Sequence, residues 1–364
     1  MKKKIALILL VTILLISCGK KSGDQAALDE FCILDINVDG LSDDEAYNLA
    51  YGITDEKYPV EEYEFNIEDK IKKTIDLSKS NLKLIVDFRV SPDEIIILDQ
   101  EDNNIKVIDW DGNLIKTIGK LGSGEIEFKK PAAFYYDEES GYYYIVDDGN
   151  GRVVVLDTEF NFVKNIDVKF LKEKSSLDNF NSIVLYKGSL YLSTTFAREE
   201  DMAILKVDPN GNEKLYDQRF GGFLKVIDNN LYAVQNHRGF KFGDKDKQTG
   251  RYDYSIWPSC GDALYLVEED RLKKLYDFPT LSVFTDMLKI GDSYYLPSGS
   301  FGILHEFKVV DNEMQYQKSL TNQMLKYIKK DVPVISKFKM QEMDGNILLM
   351  DAEADKIYVI DLAN

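Results

Sequence analysis

Between Tyr142 and Asp157 two apolar runs flank a polar stretch, Asp147-Asp148-Gly149-Asn150-Gly151-Arg152. Carboxylates beside an amide and a guanidinium are what an enzyme uses to move protons or to hold a metal. The same residue types also close tight connections between strands. An Asp at a strand end accepts hydrogen bonds from backbone N–H groups of the following turn, and an Arg pairs with it or reaches a neighbouring element. Repetition separates the two readings. Ile97-Leu98-Asp99 runs on to Ile105 and Asp109, Ile145-Val146-Asp147 to Val153 and Asp157, and Leu349-Met350-Asp351 to Ile357 and Asp361. Each copy has an Asp ending one strand, a β-branched residue six positions later and a second Asp four beyond that. Catalysis needs one site, not several copies. Asp99, Asp147 and Asp351 therefore read as a structural repeat, with Asn150 and Arg152 completing it in the second copy.

Other chemistry is sparse. Asp35-Ile36-Asn37-Val38-Asp39-Gly40 matches the opening of a calcium loop, with Asp43 at the ninth place. The twelfth place, which should supply a bidentate carboxylate, is Ala46, and no helix leads in. An acidic turn and a loose calcium site at Asp35, Asn37 and Asp39 are the two readings, and calcium is the one cofactor in view. His237 and His305 have no recognisable partners in sequence. There is no Cys-x-x-Cys, no Gly-x-Ser-x-Gly and no His-Glu-x-x-His, and residues 119–124 lack the Gly-Lys-Ser/Thr ending of a phosphate loop. Apart from Cys18, only Cys32 and Cys260 carry thiols; they are a disulfide or two plain buried residues.

The elements that must position these residues are short strands. Six apolar runs are each followed by a turn and a second apolar run. The turns lie at Ser91-Pro92-Asp93, Glu139-Ser140-Gly141, Lys187-Gly188, Asp228-Asn229, Gly291-Asp292 and Asp344-Gly345. Gly, Asn and Asp tolerate the positive φ that tight hairpins require. A spacing of roughly 40–50 residues with four strands per unit is the period of a propeller blade. The expected fold is all-β, a six-bladed β-propeller of four-stranded antiparallel blades. The last unit stops after three strands. Residues 71–77, just before the first unit, are expected to supply the fourth and so close the ring by an N-terminal strand.

The N-terminus reads as an address. Lys2, Lys3 and Lys4 precede an apolar run over residues 5–16, too short to span a bilayer but long enough for a signal-peptide core. It ends in Leu15-Ile16-Ser17-Cys18, which resembles a bacterial lipobox. The resemblance implies cleavage before Cys18, lipid on its thiol and attachment to the cell envelope, with the outer membrane as the expected site. Residues 1–17 are then the leader, 18–66 a tether with an acidic extension, and 67–364 the propeller. The formal net charge of −18 excludes nucleic-acid binding through bulk charge.

Residues 122–131, Gly-Ser-Gly-Glu-Ile-Glu-Phe-Lys-Lys-Pro, followed by Ile145-Val146-Asp147 and Asn150-Gly151-Arg152-Val153, resemble an NHL repeat. Together with the lipobox, the whole chain is similar to the six-bladed propeller lipoproteins of Bacteroidetes. That resemblance implies a scaffold more than an activity. The match is full in the second blade and partial in the first and sixth. In the third to fifth only the hairpin rhythm survives.

The main irregularity is residues 237–262, an insertion between the second and third strands of the fourth blade. It places His237, Arg238, Phe240, Phe242, Arg251, Tyr252, Tyr254 and Trp257 together in an otherwise acidic chain. In a propeller these connections emerge on the same face as the links between blades, so residues 120–131 should gather beside the insertion. Long loops on a rigid ring are where binding sits, and aromatic and Arg side chains anchor protein and glycan partners. The expected function is a non-catalytic binding scaffold for a protein or glycan. The alternative is a propeller hydrolase, lactonase or lyase with a divalent metal in the central channel.

Overall fold

The inner strands of the first two repeats hold runs that are apolar at every position, not at alternate ones. Ile95-Ile96-Ile97-Leu98 and Val153-Val154-Val155-Leu156 are all buried. Such strands must be covered on both faces. The chain meets that demand by standing its sheets on edge around a ring. A computed structural model describes residues 67–168, 170, 180–194, 204–217, 220, 222–235, 241–245, 252–255, 263–269, 271–277, 284–298, 303–310, 313–320, 338–352 and 355–362. Six four-stranded antiparallel sheets follow one another, as expected from the hairpin rhythm.

We letter the strands of each blade a to d, from the channel outward. Blade one holds Ile85–Val90, Ile95–Asp99, Asn104–Ile108 and Leu114–Ile118. Blade two holds Pro131–Asp137, Tyr142–Asp147, Arg152–Leu156 and Phe162–Asp167. Blade three holds Phe180–Tyr186, Ser189–Thr194, Ile204–Val207 and Glu213–Asp217. Blade four holds Gly222–Ile227, Asn230–Gln235, Ala263–Val267 and Leu272–Asp277. Blade five holds Leu288–Ile290, Ser293–Ser298, Ile303–Val310 and Glu313–Leu320.

Blade six takes Phe338–Met343, Asn346–Asp351 and Lys356–Ile360 from the end of the chain, and its d strand is Ile71–Asp76. Thr74 pairs with Tyr358 and Ile75 with Ile357. The Asp361 N–H donates to the Lys70 carbonyl at 2.8 Å, and Lys72 pairs with the Asp361 carboxylate. The borrowed strand thus covers an edge that the last blade would otherwise expose.

Successive side chains on a strand point to opposite faces, so they feed different seams. Ile95 and Ile97 pack with Leu348 and Met350 of blade six, while Ile96 and Leu98 pack with Phe134 and Ile145 of blade two. One apolar cluster fills each seam around the ring. Each fully buried Ile or Leu contributes about 1.5–3 kcal/mol to holding two blades together. The a–b turns are set locally. Lys187 and Gly188, Asp228 and Asn229, and Asp344 and Gly345 all adopt positive φ, the pair of conformations that a two-residue hairpin needs.

The c–d turns carry a repeat of their own. The Asp109 carboxylate accepts the N–H groups of Asp111 and Asn113 and the Asn113 amide, and Asp157 does the same with Glu159 and Asn161. Asp208 repeats it with Asn210 and Asn212. These bonds hold all three carboxyls below the usual carboxylate range. The repeat therefore extends into blade three beyond the hairpin rhythm.

Candidate functional site

Chemistry-bearing side chains gather in two places: the b–c joints and the central channel. The joint of blade two holds Asp147, Asn150 and Arg152. Asp147 is fully buried and Arg152 nearly so. The Arg152 Nε donates to Asp147 Oδ2 at 2.7 Å, and the Asn150 amide donates to the same oxygen at 2.8 Å. Asp147 Oδ1 accepts the Lys129 N–H at 2.7 Å. That backbone donor lies in the preceding link between blades one and two, not in the following turn as expected. The reason is close approach: the link folds back over the joint, and Gly149 donates to the Lys129 carbonyl. A Cβ at Gly149 would stand 2.7 Å from that carbonyl oxygen, which is why glycine occurs there.

The rest of the joint reaches further along the same link. Arg152 Nη2 donates to the carbonyls of Gly124 and Glu127 at 2.7 and 2.8 Å, and Asn150 to that of Gly122. Glu127 turns inward to accept the N–H groups of Ser123 and Gly124. Residues 119–130 are thus pinned at many points, with Leu121, bridged to Phe128, standing 66% exposed. Burial pushes the Asp147 carboxyl up, and its three hydrogen bonds pull against that push.

Blade one builds its joint differently from the same kind of residue. Asp99 accepts the N–H groups of Lys83 and Leu84 in the link leading into blade one, and that of Asp102 in the turn that follows. Its cation is Lys106, at 2.8 Å, which also pairs with Asp102 and bonds the Asn81 carbonyl. Lys106 is one row further along strand c than Arg152 but on the same face, because Asp147 pairs with Arg152 whereas Asp99 pairs with Asn104. In blade six Asp351 is buried and pairs in register with Lys356.

The channel is walled by the a strands. Opposite the residue that precedes each joint, the strands place Asp87, Ala133, Ser182, Phe223 and Lys339 at one level. Asp286 completes the ring in blade five, next to Thr285, whose N–H donates to the Pro297 carbonyl. The odd blades use this position to bind their neighbours. Asp87 accepts the Phe134 N–H of blade two at 3.2 Å, Ser182 the Leu224 N–H of blade four at 3.0 Å, and Asp286 the Met340 N–H of blade six at 2.7 Å. Lys225 closes an ion pair on Asp286 at 2.8 Å. Toward the a–b hairpins Arg89 lies over the Tyr136 ring at 3.6 Å and pairs with Glu138. A cavity of about 230 Å³ is left between these walls.

The described residues of this channel do not gather a ligand set for a divalent metal. All four carboxylate oxygens of Asp87 and Asp286 already accept backbone N–H groups, and an ammonium sits on Asp286 where a cation would go. Among the described residues no three His, Cys, Asp or Glu side chains come together as a ligand set. His305 is buried in the seam between blades four and five beside Phe284 and Phe307, and burial pushes its imidazole down to about 3. It stays neutral there.

The insertion in blade four leaves the ring between Gln235 and Ala263, which are paired neighbours in strands b and c. It forms a two-stranded hairpin of its own, Lys241–Lys245 with Tyr252–Ser255, in which Phe242 is paired with Tyr254. His237, Arg238, Phe240, Arg251 and Trp257 lie outside the described residues, as do Cys18, Cys32, Cys260, Asp35, Asn37 and Asp39. Sequence reasoning missed the channel ring. Its six members are of five residue types, so no repeat announces them.

Six four-stranded blades around a polar channel, closed by a strand from the other end of the chain, define a six-bladed β-propeller. Residues 73–289 match the family model DUF5128, described as 6-bladed beta-propeller, and the chain belongs to that family. Among solved structures, a glucose dehydrogenase superposes with a TM-score of 0.51 at 11% identity, over 80% of this chain and 100% of that one. A candidate exported protein of Bacteroides fragilis gives 0.48 at 13%, over 79% and 85% of the two chains. Virginiamycin B lyase of Staphylococcus aureus gives 0.48 at 13%, over 80% and 98%. At these identities the likeness concerns the fold alone. No curated protein matches the chain in sequence.

Proposed function

We propose that this propeller is a binding scaffold of the cell envelope, tethered through lipid on Cys18, that holds a protein or glycan partner on the face where the b–c joints and the interblade links emerge. The supporting observation is how the ionisable side chains at that face are used. Asp147, Asn150, Arg152 and Glu127 all bond the backbone of residues 119–130 or one another. None is left to act on a substrate; together they hold a loop still. A loop ordered before binding loses little entropy when a partner arrives, and the exposed Leu121 on it offers an apolar anchor. The hairpin that carries Phe242 and Tyr254 departs from the same face.

A photo-crosslinking amino acid tests this reading in cells that export the chain. Placed at Leu121 or Phe242 it should give one discrete adduct. Placed at Asp93 or Asp292, on the a–b hairpins of the opposite face, it should give none. Adducts of equal yield from both faces, or from neither, overturn the proposal. The tether is tested separately: Cys18→Ala should abolish labelling by a radioactive or clickable fatty acid.

A further inference from the structure

Four charges stand in sequence around one arc of the channel: Lys225, Asp286, Lys339 and Asp87, from blades four, five, six and one. The first two form a closed pair. The second two do not. Lys339 is half-buried, and no hydrogen bond or ion pair to it occurs among the described residues. Asp87 feels the Lys339 charge, yet burial holds its carboxyl above the usual range. A carboxylate can accept about four hydrogen bonds, and Asp87 accepts two, both from backbone N–H groups. The arc therefore contains one satisfied pair and one that is open toward the cavity.

Across the channel, in blade three, Asn181 lines the same cavity, and its buried Oδ1 meets no donor. The cavity of about 230 Å³ has room for a small molecule.

We propose that the channel binds a small polar zwitterion of the free α-amino acid class, its ammonium on Asp87 and its carboxylate on Lys339. The ligand would complete the open pair in the way Lys225 completes Asp286. A zwitterion does this without adding net charge to the arc formed by Lys225, Asp286, Lys339 and Asp87. Its occupancy is independent of any partner on the joint face.

The experiment uses the full chain in mild detergent. Thermal unfolding is followed with L-serine, L-threonine, L-asparagine or L-glutamine at about 10 mM, a concentration at which a ligand of sub-millimolar Kd shifts Tm. Ethanolamine and 3-hydroxypropionate, which are serine without its carboxylate and without its ammonium, serve as matched controls. At least one amino acid should raise Tm with saturation, and neither control should. Titration calorimetry of that amino acid should show affinity weakened by about tenfold or more in Lys339→Met and in Asp87→Asn. Lys339→Met removes no bond of the fold, so its loss of binding would not reflect misfolding. No shift with any amino acid, equal shifts with the controls, or unchanged affinity in Lys339→Met each overturns the proposal.

Discussion

The joint of blade two and the ring of the channel are made of the same materials, an aspartate, a cation and an amide, and they put them to opposite uses. At the joint both charges are engaged within the protein: the Asp147 carboxylate has three donors, and Arg152 carries further N–H groups to two carbonyls of the link. In the channel one pair is closed on itself, while Lys339 and Asp87 keep capacity facing a cavity. Residue type alone does not separate a structural cluster from a functional one. Unused hydrogen-bonding capacity beside open space does. A buried network that is complete stiffens its surroundings, and one that is incomplete invites a ligand or a water.

The strongest way to break this comparison is to open the joint. Asp147→Ala leaves the Arg152 guanidinium buried without its counter-charge, together with the Lys129 N–H. Breaking such a pair costs about 3–5 kcal/mol. Urea unfolding should show an unfolding free energy lowered by that amount, and residues 119–130 should become the first site of proteolysis under native conditions. A loss under about 1 kcal/mol would mean that the joint is no more than a surface ion pair.

The seams offer the next test. Ser182 both donates to the Leu224 carbonyl and accepts the Leu224 N–H, so Ser182→Ala removes two bonds at one point of the seam between blades three and four. The cost should be about 1–3 kcal/mol, because the Leu224 groups stay buried. Ala133 and Phe223 occupy the same ring level with no polar atom, so Ala133→Ser should add nothing comparable. If the two substitutions have effects of similar size, the odd blades do not clamp their neighbours in the way the geometry indicates.

These differences bear on what can be read from a sequence. The blades were legible because each is announced locally, by turn residues such as Lys187-Gly188 and by strands apolar at every position such as Ile95–Leu98. The closing strand was legible because the last unit lacks one. The source of Asp147's backbone donor was not, since Lys129 stands 18 residues earlier in a link whose path depends on the whole joint. The turn Asp208-Pro209-Asn210-Gly211-Asn212 was available in the sequence and passes unnoticed only because its neighbours in blade three do not repeat. The channel ring was hidden for a physical reason. Register shifts before Asp87, Ala133 and Ser182 bring those residues to one level without a constant spacing in sequence.

A milder test separates the two aspartates by charge alone. Burial raises the folded-state pKa of Asp87, so the folded protein holds that proton more tightly than the unfolded chain does. The stability this contributes is complete below the ordinary value of 3.8 and is lost as pH rises through the raised folded value. Asp87→Asn keeps an oxygen for the Phe134 N–H and sheds the charge. It should raise stability at neutral pH and flatten the decline between acid and neutral pH. Burial raises the Asp147 carboxyl as well, yet Asp147→Asn at the joint should be destabilising at neutral pH, because it leaves the buried Arg152 guanidinium without its counter-charge. Guanidinium unfolding at several pH values would show whether the two Asn variants diverge. Parallel behaviour would erase the distinction between the two sites.

The smallest effect is the most informative. Lys339→Met keeps the apolar stem of the side chain and removes an ammonium that no described residue binds, so stability should change by no more than about 0.5 kcal/mol. Lys225→Met, one blade beyond Asp286, removes an ammonium that is bound, and the Asp286 carboxylate it leaves is almost wholly buried. It should cost clearly more, about 1–3 kcal/mol, because a charged acceptor loses its donor. Two lysines in one channel, equal in chemistry and close in position, would then differ only in whether the protein already uses them. If Lys339→Met proves as costly as Lys225→Met, the ammonium of Lys339 is engaged within the fold itself, and no capacity is left in that arc for a ligand to take.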